Sequence, residues 1–260
     1  MGAPHGHTLH FHGHSPVHRL PAHIKIVALL TFVLAVVLTP RDVPWAFAVH
    51  LGLLLLVIAV SRVPLAHLAR RMIVETPFVV FALLLPVIAT GPRVTVGPVT
   101  LSEAGLLAAW GLLAKGTLGV LASLVVASTT EAHDLVAGLE RLRLPPQLVQ
   151  ILAFMVRYLD VVTGEMRRMA LARAARGFVA SNPRHWPVVA SGAGALFIRS
   201  YERGERVHLA MLSRGYDGRM PDTGAAGAHT VGALPWLRGL AVSGAAALTA
   251  VTALTMAAGR

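Results

Sequence analysis

The sequence predicts an all-α, polytopic membrane protein with about five transmembrane helices and a cytoplasmic pair of long amphipathic helices. Three observations predict it. Of 260 residues, 55% are hydrophobic and 13% charged, about half the charged share of an ordinary soluble domain. Mean hydropathy is +0.66, and uncharged apolar stretches recur at the roughly 20 residues a helix needs to cross a bilayer. One long region, 128–232, departs from this pattern and holds 9 of the 12 acidic residues. Zero cysteines exclude a disulfide-framed module, thiolate ligands and thiol nucleophiles. The same balance excludes a collagen or a disordered tail.

Each span follows from its flanks. Residues 26–61 carry only Arg41 and Asp42, between Pro40 and Pro44, which predicts a tight hairpin of spans at 24–39 and 44–61. Residues 72–92 hold one ionisable group, Glu75, expected near the cytoplasmic end. Residues 104–130 hold one, Lys115, close to mid-span, and 239–258 hold none. Runs at 144–156 and 185–198 are too short to cross and read as buried or interfacial helices.

Basic residues orient the chain. With the N-terminus inside, 19 of the 23 Lys and Arg residues, including the short-loop Arg62, Arg70 and Arg71, fall on the cytoplasmic side. No cleavable signal is visible in the polar opening. The expected organisation is a His-rich cytoplasmic tail (1–23), a four-helix membrane part (24–127), a cytoplasmic region (128–232) and a C-terminal span (233–260). The expected location is the bacterial inner membrane.

Within 128–232, Pro145-Pro146 suits a helix start. Leu152, Met155, Leu159, Val162, Met166 and Met169 then recur at three- and four-residue steps, one helical face. A second helix after Pro187 carries Phe197, Tyr201, Gly204, His208 and Met211 at similar steps. The two helices end alike, in Ala175-Arg176-Gly177 and Ser213-Arg214-Gly215, each followed by an aromatic. Arginine at a helix C-terminus complements the dipole and presents a rigid five-donor fork. A carboxylate-lined groove could receive that fork bidentately, and two such ends suit a dimeric partner. Ordinary helix capping by arginine and glycine accounts for the same residues.

The stretch from Tyr201 to Arg219, with Ser213-Arg214-Gly215 inside it, resembles the signature of the cobalt-transport T component, the transmembrane subunit of energy-coupling-factor ABC transporters. Ala172-Arg173-Ala174-Ala175-Arg176-Gly177-Phe178 is similar to that family's first coupling motif. Leu144-Pro145-Pro146, Phe154, Arg157-Tyr158 and the stretch Arg19–Pro40 also fit, so the resemblance covers roughly residues 18–257. It implies that Arg176 and Arg214 end crossed coupling helices and insert into two cytosolic ATP-binding subunits. ATP and Mg would be bound by those partners, not by this chain. Movement would pass to a separate substrate-capture membrane subunit, with a small accessory membrane subunit, and release metal inward. The apolar stripe from Leu152 to Met169 would pack against the second coupling helix or the capture subunit.

The sequence departs from the family pattern at three places. Gly204 stands where a side chain, often serine, is usual, and a close helix crossing there would offset its helix cost of about 1 kcal/mol. His208 stands where tyrosine is expected and reads as a packed histidine. Pro21-Ala22-His23-Ile24-Lys25 matches an Asp-Pro-Arg-x-Lys pattern only loosely.

Seven histidines open the chain: His5, His7, His10, His12, His14, His18 and His23. Imidazoles suit cobalt, nickel, zinc or copper, so the tail, above all His5 to His14, is a candidate weak metal site or an incidental segment. Glu75 and Lys115 are functional candidates because ionisable groups inside spans usually are. There is no His-Glu-x-x-His, no Walker sequence and no enzyme site. The net charge of +11 is explained by the membrane-orientation rule, and the interspersed acids argue against a nucleic-acid track. The expected role is a coupling subunit of a cobalt importer. A nickel or vitamin importer is the alternative, and a membrane scaffold ranks last.

Overall fold

The computed structural model describes residues 15–96, 99–178, 182, 185–218 and 233–258. These fall into two compact units, 15–138 with 233–258 and 139–218.

The first unit is a helical bundle. In chain order it contains α1 (Ala22–Leu38), α2 (Pro44–Ser61), α3 (Leu65–Arg71), a 3₁₀ turn (Met72–Glu75) and α4 (Thr76–Ile88). An antiparallel hairpin of β1 (Arg93–Val96) and β2 (Val99–Ser102) leads into α5 (Glu103–Thr129). Short α6 (Ala132–Arg141) follows, and α9 (Ala233–Ala258) closes the chain. Local chemistry sets several ends. Pro44 occupies the first turn of α2, where its missing N–H costs nothing. Ser102 Oγ caps α5 by accepting from the Gly105 amide at 3.4 Å.

Hydrocarbon supplies no hydrophobic drive between helices, so membrane bundles rely on small residues that let backbones approach. In α9, Gly239, Ser243, Ala246, Ala250 and Ala253 recur at steps of four and three, and the last four are buried. α1 packs most closely on this helix, and α2 packs on it as well. A β-carbon at Gly239 would overlap Ile24 Cγ2, and one at Gly105 would sit 2.7 Å from the Leu85 carbonyl oxygen. Glycine is required at both approaches. Phe32, Val36, Phe47, Leu54, Leu118 and Val125 fill the space between. Leu30, Leu34, Leu55, Phe81 and Leu83 point outward, as lipid-facing residues do.

Five segments are long and apolar enough to cross a membrane: Pro44–Ser61, Leu65–Ile88, Glu103–Thr129, Pro146–Ala175 and Gly239–Ala258. The expected number holds, but its membership differs. α1 has 17 residues, at the short limit for a crossing, because Pro40 follows its last turn so closely. The third span starts at Leu65 rather than 72, so Arg70 and Arg71 lie in a helix rather than a loop. Pro146–Ala175, expected on the cytoplasmic side, passes on length and apolarity, which do not separate a crossing helix from a surface one.

The β-hairpin is a second difference from an all-α expectation. Its signal was present: β-branched residues alternate through Arg93-Val94-Thr95-Val96 and Val99-Thr100 around Gly97-Pro98.

Candidate coupling ends and buried polar contacts

The second unit is built on α7 (Pro146–Ala175) and α8 (Trp186–Leu212). Proline opens both, Pro146 and Pro187 lying in their first turns. Three contacts show that the helices run antiparallel. The Tyr216 hydroxyl donates to Gln150 Oε1 at 2.7 Å. Arg199 Nη1 of α8 donates to Glu165 Oε1 at 2.8 Å, and Glu165 is held within α7 by Arg168 Nη2 at 2.7 Å. Near the far end, the Arg173 guanidinium lies over Gly192, where a β-carbon would come within 2.5 Å of Nη1.

The two Arg-Gly motifs fold identically. At the end of α7 the Gly177 amide donates to the Ala174 carbonyl at 2.9 Å and the Phe178 amide to the Arg173 carbonyl at 3.1 Å. At the end of α8 the Gly215 amide donates to Leu212 and the Tyr216 amide to Met211, both at 3.0 Å. This pair of bonds is the Schellman motif, which places the residue before glycine at the cap. Gly177 has φ +77° and Gly215 φ +84°, backbone that L side chains adopt only at a cost. The aromatic after each glycine turns back into the unit. Phe178 packs against His185, with ring centroids 5.1 Å apart, and Tyr216 stands edge-on to His208 at 6.4 Å.

Arg176 and Arg214 thus occupy equivalent cap positions at opposite ends of an antiparallel pair. From Gln150 to Arg173 is about 35 Å of helix, at 1.5 Å per residue. Both arginines are exposed, and neither guanidinium has a hydrogen bond or ion pair among the described residues. Ala175, Gly177, Ser213 and Gly215 beside them are exposed as well.

On the expected packing stripe, Leu152, Val162 and Met169 are partly covered, whereas Met155, Leu159 and Met166 are exposed. Gly204 is exposed, and a β-carbon there would meet nothing within 4 Å. Among the described residues no helix crosses closely at that glycine, so the expected compensation is not made there. His208 stands edge-on to the Tyr216 ring but is itself exposed.

Three ionisable groups on the membrane helices, Glu75, Lys115 and Lys25, have hydrogen-bond partners. Glu75 is 4% exposed, and its Oε1 accepts from the Thr117 hydroxyl at 2.6 Å. It sits near the middle of the helical segment Leu65–Ile88, in its 3₁₀ turn. Lys115 Nζ donates to the Val37 carbonyl at 2.7 Å, capping the end of α1. Lys25 does the reverse: its Nζ donates to the Thr129 carbonyl at 2.8 Å and to Thr130 Oγ1 at 3.1 Å, closing the end of α5. α1 and α5 are therefore antiparallel neighbours, each lending a lysine to the other's carbonyl end.

Sequence reasoning missed His50. It is fully buried in α2, donating from Nε2 to the Ala246 carbonyl at 3.2 Å between the Phe32 and Phe47 rings. A histidine inside an apolar span was the available signal. The expected histidine tract divides. His5, His7, His10, His12 and His14 lie outside the described residues. His18 Nδ1 lies 2.7 Å from Ser15 Oγ, and His23 is buried edge-on to Trp236. Among the described residues no cluster of three His, Cys, Asp or Glu side chains could hold a metal.

The fold defines a class: a multi-pass, helical membrane protein carrying a second helical unit with paired, capped arginine ends. The profile of the cobalt transport protein family (CbiQ) matches residues 13–223, and the chain belongs to that family of transmembrane transport proteins. The energy-coupling factor transporter transmembrane protein of Bacillus selenitireducens is 28% identical over 227 residues, covering 79% of this chain and 81% of its own length. The cobalt transport protein CbiQ of Rhodobacter capsulatus is 27% identical over 187 residues, covering 72% and 75%. The energy-coupling factor transporter transmembrane protein of Bacillus subtilis is 26% identical over 221 residues, covering 79% and 82%. The family read from Ala172–Phe178 and Tyr201–Arg219 is the right one.

Proposed function

We propose that this chain is the coupling subunit of an ATP-driven cobalt ion importer, with residues 128–232 as its coupling region. Arg176 and Arg214 dock into grooves on two cytosolic ATP-binding subunits, which bind and hydrolyse ATP with Mg. Closure of those subunits moves the two ends of the α7–α8 pair. The membrane helices hand that movement to a separate substrate-capture membrane subunit, against which exposed Met155, Leu159 and Met166 pack. The chain itself performs no catalysis.

The observation that carries this reading is the repeated cap. Two arginines, held by the same backbone motif at opposite ends of one antiparallel pair, offer two equivalent five-donor forks. A fork of that shape pairs bidentately with a carboxylate. Glycine in the left-handed region ends each helix at once, leaving the arginine at the tip.

The test is replacement of both Arg176 and Arg214 with alanine in the assembled transporter. Copurification of the ATP-binding subunits should weaken, and ATP hydrolysis should no longer drive uptake. Wild-type assembly and uptake would remove the assignment. A nickel importer, or a unit shared among vitamin capture subunits, is the second reading. Its support is that relatives named for energy-coupling factor transport, with no substrate in the name, are as similar to this chain as one named for cobalt transport. Uptake of cobalt and nickel by matched cells decides between the metals.

A further inference from the structure

The bundle unit contains a cavity of about 740 Å³ bounded by α1, α2, α5, α9 and the turn before α1. Its walls are apolar: Leu29 and Phe32 of α1 face Leu54 and Val57 of α2 across it. Among the described residues that line it, the charged ones are Arg19 and Lys25, and none is a carboxylate. Lys25 is 5% exposed; its three donors go to neutral oxygens of His18, Thr129 and Thr130, and the Asp134 carboxylate acts on its charge from outside the cavity lining. Arg19 is exposed and has no hydrogen bond or ion pair among the described residues. From Lys25 to Phe32 the cavity runs about 10 Å along α1. Its charged end is the one that the basic-residue count assigns to the cytoplasm.

We propose that this cavity binds an anionic phospholipid, with the phosphate at Arg19 and Lys25 and acyl chain between α1 and α2. Basic pockets between membrane helices on the cytoplasmic side select acidic headgroups, because a cation held in low dielectric attracts an anion more strongly than in water. A zwitterionic headgroup brings its own positive charge to the two cations and gains less. The apolar walls exclude a bare inorganic anion from most of the space. Nothing here depends on which ion the family member transports.

The purified full-length chain, delipidated in detergent, is titrated by native mass spectrometry with phosphatidylglycerol, with phosphatidylcholine of the same chains, and with inorganic phosphate. Phosphatidylglycerol should bind roughly tenfold tighter than phosphatidylcholine, with no phosphate adduct at equal concentration. Arg19→Gln should weaken phosphatidylglycerol roughly fivefold and leave phosphatidylcholine unchanged. Val60→Trp, at an exposed position on the cavity wall, should weaken both lipids. Both substitutions are at exposed positions, so folding is not at stake. Equal binding of the two lipids, phosphatidylglycerol binding unmoved by either substitution, or phosphate binding as tightly as the lipid would each overturn the proposal.

Discussion

The Thr117 hydroxyl donates to Glu75 Oε1 at 2.6 Å, joining two packed helical segments near their midpoints. Glu75 lies in the 3₁₀ turn that interrupts the segment Leu65–Ile88. A buried acceptor that loses its donor costs about 1–3 kcal/mol. Thr117→Val removes the hydroxyl at nearly constant volume and should lower stability by about that amount. In Glu75→Gln the carboxamide has its own donors and is uncharged, so Thr117→Val should cost less in that background. A double-mutant cycle on thermal unfolding in detergent checks this; strictly additive losses would mean the pair is not coupled.

The caps can be tested apart from the arginines. Gly177 and Gly215 stand at φ +77° and +84°, so alanine at either should cost about 1–2 kcal/mol. Arg176→Ala and Arg214→Ala should leave the unfolding midpoint within error, because neither side chain has a partner among the described residues. The expected contrast is that glycine variants lose both stability and subunit copurification, and arginine variants lose copurification alone. Circular dichroism melts beside pull-downs of the ATP-binding subunits report both.

Gly204 meets nothing within 4 Å of a would-be β-carbon. Gly204→Ala should therefore stabilise α8 by about 0.5–1 kcal/mol through helix propensity. Thermal unfolding of the isolated chain measures it. A gain in stability with a loss of transport would assign that glycine to a contact with a partner subunit.

Gly105 makes the opposite case. A β-carbon there would lie 2.7 Å from both the Leu85 carbonyl oxygen and Pro86 Cα, backbone atoms that cannot swing aside. Gly105→Ala should cost about 1–3 kcal/mol by overpacking the α4–α5 contact. Gly119→Ala, on the same helix with nothing within 4 Å, serves as control and should be neutral or stabilising. Equal midpoints for the two variants would contradict the close approach.

Much of the candidate site was legible because its signals are local. Arg176-Gly177-Phe178 and Arg214-Gly215-Tyr216 announce a cap within three residues, and a Schellman turn needs no distant partner. Pro146 and Pro187 mark helix starts by the same local logic. Arg143, a non-glycine residue at φ +59° after α6, gave no such signal, although the Leu144 amide closes back on Leu139 there as well. The place of Glu75 within its helical segment was not legible either. Its distance from the start of an uncharged run placed it at an edge, whereas α3 extends the segment through two arginines.

The sequence by itself determined the membrane class, most span boundaries, the two capped arginine ends and the family, because apolar run length, proline, glycine and motif order are properties of neighbouring residues. Only the tertiary structure decided that Thr117 satisfies Glu75, that Lys25 and Lys115 close each other's helices, and that His50 bonds α9. Those partners lie 42, 104, 78 and 196 residues away in the chain. Pairings at such separations follow from which helix faces meet, and small residues such as Gly105, Gly239 and Ala246 set those meetings only once the helices have packed.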